Sequence, residues 1–339
     1  MSEFAAGPAG RIERVRALMV ERGYDAIVVR DEANLRWLTG VKGVFDYTFE
    51  FPHAAFITAD QCLFHTDSRY LNSFEENTPA SSPWVYDMDE GTIPGWVAGK
   101  IAANKCRVCA VEDDMQINFY QGIQRGLEDR SVACMLPLMH DDIRKMRAIK
   151  DAEEIELMRH AQSITDAAFQ HMLGFIKPGM TEKQVRNELE NFMFANGADS
   201  LAFGSIVASG PNTANPHAVP SDRVIEKGDF VLMDYGAGYC DYRSDMTRTV
   251  VMGEPTQEQL DLYALVRRTH EECVAAIHPG VEGNDIFKLS KKIIGDAGYG
   301  DYYNHGLGHG VGIDIHELPN FNRSKNTIEV GSVITMEPG

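Results

Sequence analysis

Three short islands in the second half of this 339-residue chain carry side chains able to bind a divalent cation. The first runs from Phe230 to Gly236 and continues at Ser244–Thr249, with Asp234 and Asp245. The second runs from His305 to Gly312 and on through Ile315, His316 and Glu317, with His305, His309 and His316. The third is Val333–Gly339, with Glu337. Each sets a carboxylate or imidazole in an apolar run, where an ionised group is costly unless something pairs it. A divalent metal would pair it. Carboxylates with one imidazole suit Mn(II), Co(II), Fe(II) or Zn(II) better than a thiolate-selected site does.

The elements that must position these groups follow from local pattern. Phe230–Met233 and Met246–Val251 read as strands, with turn chemistry from Gly236, Gly238 and Asp241 between them. A hairpin centred between Tyr239 and Cys240 sets Asp234 directly opposite Asp245, with Cβ atoms roughly 5 Å apart. Like charges there repel, so one is protonated or both share cations. Two solvated aspartates flanking a loop would give the same pattern. Glycines at 306, 308, 310 and 312 let the backbone around His309 approach another group closely. Val311, Ile313 and Ile315 then alternate as in a strand. His309 and His316 are seven positions apart, so an unbroken strand would face them oppositely, and a shared site requires a bend or bulge.

Composition bounds the rest. The length allows two domains, and 44% apolar residues indicate an ordered globular protein. A net charge of −18 argues against nucleic acid or an anionic membrane as partner. Residues 1–10 have no apolar core of signal-peptide length, and no run approaches a membrane span, so a soluble cytoplasmic protein is expected. The six cysteines are expected to be reduced thiols. Cys106 and Cys109 sit inside Lys105–Val111, read as a strand whose two sulfurs point to opposite faces, which disfavours zinc or redox chemistry.

Along the first half, helical spacing over Arg11–Arg22, a strand at Ala26–Val29, a hairpin of Ala54–Thr58 with Cys62–His65, a helix at Trp96–Ala103 and a strand at Arg107–Glu112 predict an α/β layer domain. The aromatic stretch Val44–Phe51 is read as core packing, or else as a surface touching a partner subunit. The charged stretch Asp141–Asp151 marks the boundary, dividing the chain into 1–140 and 141–339. Two amphipathic helices follow, one with Ile155, Met158, Ala161, Ile164, Ala168 and Met172 on its apolar face, the other with Val185, Leu189, Phe192 and Met193. Phe203–Ser209 reads as a strand turned by Gly210-Pro211-Asn212. Later, Gln257–Ile277 reads as a helix presenting Leu260, Tyr263, Ala264, Val266, His270 and Cys273 to the core, and Asn284–Ala297 as another.

Taken with their neighbours, the three islands resemble the metal-dependent pita-bread peptidases: Xaa-Pro aminopeptidases, Xaa-Pro dipeptidases (prolidases) and methionine aminopeptidases. The resemblance covers the whole chain, including a creatinase/prolidase-type N-terminal α/β domain. It implies an α+β pita-bread catalytic domain with a pseudo-twofold, curved antiparallel sheet backed by helices. The family's metal set is Asp, Asp, His, Glu, Glu, and the first four fall on Asp234, Asp245, His309 and Glu337. The fifth would lie beyond Gly339, so the chain reads as C-terminally truncated, or else as one with a crippled second metal site. The implied cofactor is two divalent ions per subunit, manganese first, with cobalt, zinc or iron as alternatives. The motif SGPNTANPH carries a substrate-binding role to His217, and family positions near the substrate fall on His305 and His316. The implied activity is hydrolysis of an N-terminal Xaa-Pro bond by a metal-bridging hydroxide, with Glu337 taking up the water proton. A peptide or dipeptide with proline second is the implied substrate, and a homodimer the implied assembly. Similar folds also serve ectoine hydrolase and a dimethylsulfoniopropionate lyase, and some relatives only bind. Creatinase lacks the metals, so the ligands count against it.

Overall fold

A computed structural model describes residues 7–42, 51–88, 91–321 and 326–339. The chain divides into two compact units, Met1–Arg147 and Ala148–Gly339. Residues 44–50 of the aromatic stretch lie outside the described residues.

The first unit is an α/β layer. Helix α1 (Gly7–Arg22) buries Ile12, Val15 and Met19 and leads to strand β1 (Ala26–Val29). Helix α2 (Glu32–Thr39) starts where the Asp31 side chain accepts from the Asn34 amide and ends at a left-handed Gly40. Strands β2 (Ala54–Thr58) and β3 (Cys62–His65) form the expected hairpin. Then come α3 (Leu71–Asn77), β4 (Val85–Asp87), α4 (Ile93–Ala103), β5 (Cys109–Val111), α5 (Ile117–Asp129) and α6 (Asp142–Arg147). The sheet order is β4-β3-β2-β1-β5, parallel only at β3–β4 and β1–β5. Trp96, Val97 and Ile101 of α4 and Phe119, Ile123 and Leu127 of α5 pack on Val28, Phe56 and Val111 to make the core.

One expectation fails here. The strand begins only at Cys109, because Lys105 takes a left-handed φ of 54° and turns the chain before it. Cys106 and Cys109 therefore do not alternate across a strand and are buried in the same core cluster. All six cysteines are free thiols, and burial pushes Cys106 up to about 11. A second buried group is His53, caged by Phe51, Phe64, Tyr70 and Phe74.

The second unit is α+β. Helices α7 (Ala152–Phe175) and α8 (Glu182–Ala195) each open in a capping box, Asp151 with Glu154 and Thr181 with Gln184. They bury Met158, Ala161, Ile164, Ala168 and Met172, and Val185, Leu189 and Met193, as the helical spacing predicts. Strands β6 (Ser200–Leu201), β7 (Ile206–Ser209), β8 (Phe230–Tyr235), β9 (Ala237–Tyr239), β10 (Tyr242–Arg243) and β11 (Met246–Val251) form two antiparallel sheets, β11-β8-β7 and β10-β9-β6. Helices α9 (Gln257–Ala275) and α10 (Gly283–Asp296) precede a two-stranded pair, β12 (Gly308–Gly310) with β13 (Glu317–Phe321). The larger core joins α7 and α8 to Val207, Val231, Met233 and Tyr235, and a smaller one holds Cys273, Ile286, Leu307, Phe321 and Ile328.

Two elements depart from the sequence reading. Leu260 and Tyr263 of α9 are exposed, as is His270, while Thr269 and Cys273 are buried. Apolar residues lie on more than one side of that helix; of the expected face, Cys273 is buried and Val266 half-buried, while Leu262 and Leu265 are also half-buried. Val311–Ile315 is not a strand. It bends, although Val311 and Ile313 are still buried. Gly312 lies so close over the Glu317 carboxylate that a Cβ there would stand 2.3 Å from Oε1.

Candidate metal centre

The hairpin carrying the two aspartates is built on a different centre from the one expected. Cys240 and Asp241 both have positive φ, 46° and 70°, as the two central residues of a type I′ turn require. That centre pairs Tyr235 with Met246 and Asp234 with Thr247, so Asp234 does not stand opposite Asp245. The slip is two residues, and period-two alternation keeps both aspartates on one side of the ladder as diagonal neighbours. Gly236 is required beside them, because a Cβ there would stand 1.9 Å from the Ser244 carbonyl oxygen.

The second arm is His309 on β12. Its pairing with β13 shifts register between His309 and Gly310, and the following turn brings His316 back beside it. The two rings meet edge to face with centroids 4.2 Å apart, so the bend that a shared site requires is present. The third arm is not a strand. Val333–Glu337 nevertheless runs antiparallel to Leu307–Val311, with the Val311 amide donating to Val333 O, Thr335 to His309 O and Glu337 to Leu307 O. Gly308 permits this approach, since a Cβ there would stand 2.4 Å from Thr335 O. The His309 amide also donates to Thr335 Oγ1 at 3.0 Å.

Among the described residues, ligand atoms of Asp245, His309 and Glu337 all lie within 4.8 Å of one another. His309 Nε2 is 3.4 Å from Asp245 Oδ2 and 3.2 Å from Glu337 Oε1. Nδ1 of the same ring donates to the Gly310 carbonyl at 3.0 Å, which leaves Nε2 facing the carboxylates. Glu337 Oε1 and Asp234 Oδ1 are buried without a hydrogen bond among the described residues.

Electrostatics records the same crowding. Burial pushes Asp234 up to about 6, helped by Glu337 and opposed by a hydrogen bond from Thr247. Asp245 is driven well up by burial and by the charges of Glu337 and Asp234. Burial alone would lower His309, yet contact with Glu337 outweighs it and the imidazole goes up. Burial raises Glu337, but His309 and Thr335 hold it below the usual range. Converging oxygens, an aimed imidazole nitrogen and orphaned acceptors are what a divalent cation would relieve, so these residues fit one.

The remaining candidates lie around this cluster. Asp234 is outside the three-residue group, but its carboxyl feels Glu337, His217 and His309. His217 is exposed on the loop after β7 and its charge also reaches His316. His305 stacks edge to face on Tyr303 at 5.0 Å, and its charge reaches Glu337. The sequence reading missed a buried ion pair next to His316, between Lys150 Nζ and Glu317 Oε1. The adjacent Gly312, which no side chain could replace, was the available signal.

Comparison with known proteins agrees with this geometry. Residues 156–339 match metallopeptidase family M24, and residues 11–149 match the creatinase/prolidase N-terminal domain. An uncharacterised peptidase, YqhT, of Bacillus subtilis is 35% identical over 333 residues, 97% of this chain and 90% of that protein. The structure of an Xaa-Pro dipeptidase from Bacillus anthracis superposes with a TM-score of 0.88 at 34% identity, covering 98% of this chain and 90% of that one. An X-Pro aminopeptidase from Thermotoga maritima gives 0.83 at 30% identity, over 97% of this chain and 90% of that one. The chain is a metallopeptidase of family M24, with a creatinase/prolidase N-terminal domain and a pita-bread catalytic domain.

Proposed function

We propose that the protein hydrolyses the N-terminal Xaa-Pro bond of peptides or dipeptides. The observation that carries this reading is the convergence of Asp245 Oδ2, His309 Nε2 and Glu337 Oε1 on one space. Relatives named as an Xaa-Pro dipeptidase and an X-Pro aminopeptidase support the substrate class. Asp234, Asp245, His309 and Glu337 would be the residues holding two divalent cations, manganese first. Such ions supply Lewis acidity and a lowered pKa for the attacking water.

The chain's own groups do the rest. Gly310 O fixes the His309 tautomer through Nδ1. Glu337, whose Oε1 lies 3.2 Å from His309 Nε2, is the carboxylate assigned to take up the water proton. His217, His305 and His316 surround the cluster as donors to the substrate carbonyl and its developing charge. The active assembly in this reading is a cytoplasmic homodimer.

The test is a panel of Xaa-Pro dipeptides and longer Xaa-Pro peptides given to metal-replete protein of known metal content. Cleavage of dipeptides alone marks a dipeptidase, and cleavage of longer peptides an aminopeptidase. No cleavage at about two metals per chain overturns the substrate class. Metal near zero with no cleavage makes the protein a binding scaffold.

A further inference from the structure

Glu182, at the start of α8, has no solvent exposure. A carboxylate at a first helical position ordinarily faces water. Here it faces inward and is saturated. Oε1 accepts from the Ser209 amide at 2.7 Å, Ser209 Oγ at 2.8 Å and Asn212 Nδ2 at 3.0 Å. Oε2 accepts from the Ser221 amide at 3.0 Å and Ser221 Oγ at 2.6 Å. Burial would push its carboxyl up, but hydrogen bonds from Ser221, Asn212 and Ser209 outweigh it and hold it below the usual range.

The partners are the point. Ser209 ends β7, Asn212 lies in the 3₁₀ turn Gly210–Ala214, and Ser221 closes the same excursion of the chain. His217 lies between Asn212 and Ser221, exposed, with its own backbone amide held only by Asn215 Oδ1 at 3.2 Å. The base of the loop is braced a second time. Arg223 Nη1 donates to Ser209 Oγ at 2.6 Å and to Asp229 Oδ2 at 2.6 Å. Gly210 takes a left-handed φ of 49°, which favours glycine, and a Cβ there would crowd the Arg223–Asp229 pair.

The geometry points to Glu182 as the positioning residue of the substrate-side histidine: its buried carboxylate clamps both ends of the 209–221 loop and so sets where His217 is presented. This rests on the reading that His217 meets the substrate. The donors to Glu182 are loop residues, Ser209, Asn212 and Ser221, so it acts through the loop. A carboxylate is needed because all five donors point at it. An amide would turn an NH₂ towards at least one of them.

Two measurements test the clamp. The first is amide hydrogen exchange of 209–221 in Glu182→Gln and, should that variant not fold, in the milder Ser221→Ala. Faster exchange confined to this loop supports the clamp, and unchanged exchange overturns it. The second is a double-mutant cycle on kcat/KM with His217→Ala, metal content held equal. Displacing a substrate-facing group by about 1 Å costs about 10²-fold. Glu182→Gln is therefore expected to lose about 10²-fold in kcat/KM, and adding it to His217→Ala to cost little more. Losses that multiply overturn the link to His217. If the wild-type protein cleaves no Xaa-Pro peptide, the function reading falls, and the exchange comparison alone decides the role of Glu182.

Discussion

The imidazole of His309 stands edge-on to that of His316, centroids 4.2 Å apart, across a turn that no regular strand could make. With Nδ1 committed to Gly310 O, Nε2 of His309 faces the crowded oxygens of Asp245 and Glu337, which raise its affinity for a proton. That frustration is an electrostatic strain which a cation or a proton removes.

Adding Mn(II) therefore raises the unfolding midpoint, by about 2.7 kcal/mol of stability when the free ion is 100-fold above its Kd. Asp245→Asn removes a repelling charge. It is expected to stabilise the metal-free protein by about 1 kcal/mol and to abolish most of the manganese-dependent shift. Thermal melts with and without manganese check both outcomes.

Gly236→Ala tests the register of the hairpin. Its methyl would meet the Ser244 carbonyl, a backbone atom that cannot rotate away. A loss of about 3 kcal/mol is expected, read by urea melts, together with weaker manganese binding because Asp245 follows Ser244.

The Lys150–Glu317 pair tests the turn beside His316. Both side chains are almost fully buried, 1% and 4% exposed. Lys150→Met takes the cation away from a buried carboxylate and costs about 3–5 kcal/mol. Adding Glu317→Leu recovers most of that stability in chemical denaturation. Activity is expected to stay impaired, since Gly312 no longer has its carboxylate to pack on.

His53 gives the first unit a pH dependence. Burial in its aromatic cage lowers the imidazole to about 4, against an ordinary 6.5. The unfolded chain binds this proton between those values and the native chain does not. Stability is thus full above pH 6.5 and is lost as pH falls towards 4, by about 3 kcal/mol from this group. Urea midpoints at pH 7 and pH 5 should differ less in His53→Phe than in the wild type.

The three converging residues, Asp245, His309 and Glu337, stand out in the sequence because chemistry restricts them. Few side chains bind hard cations, and their neighbours are glycines with a steric duty. The geometry was less legible. Asp234 and Asp245 were expected in direct opposition because Gly238 and Asp241 carry the usual turn signals, yet the turn sits on Cys240 and Asp241. A cysteine at positive φ has no local advertisement, and its conformation is enforced by the strands on either side. The long helices α7 and α8 were read correctly because one stripe dominates each. Helix α9 was only half read: Cys273 and Val266 turn inward as expected, but Leu260, Tyr263, Ala264 and His270 face solvent, because its apolar residues do not form one dominant stripe. Glu182 was legible as a helix start and illegible as a hub, since its five donors come from residues 27 to 39 positions away.

Asp245 stands at the end of a hairpin, His309 on β12, and Glu337 on a segment whose amides donate to the carbonyls of Leu307 and His309. All three belong to the second unit, yet no single element of it brings them together. A half-unravelled copy of that unit still carries the three side chains but not their convergence, which comes with the assembled strands and is lost with them.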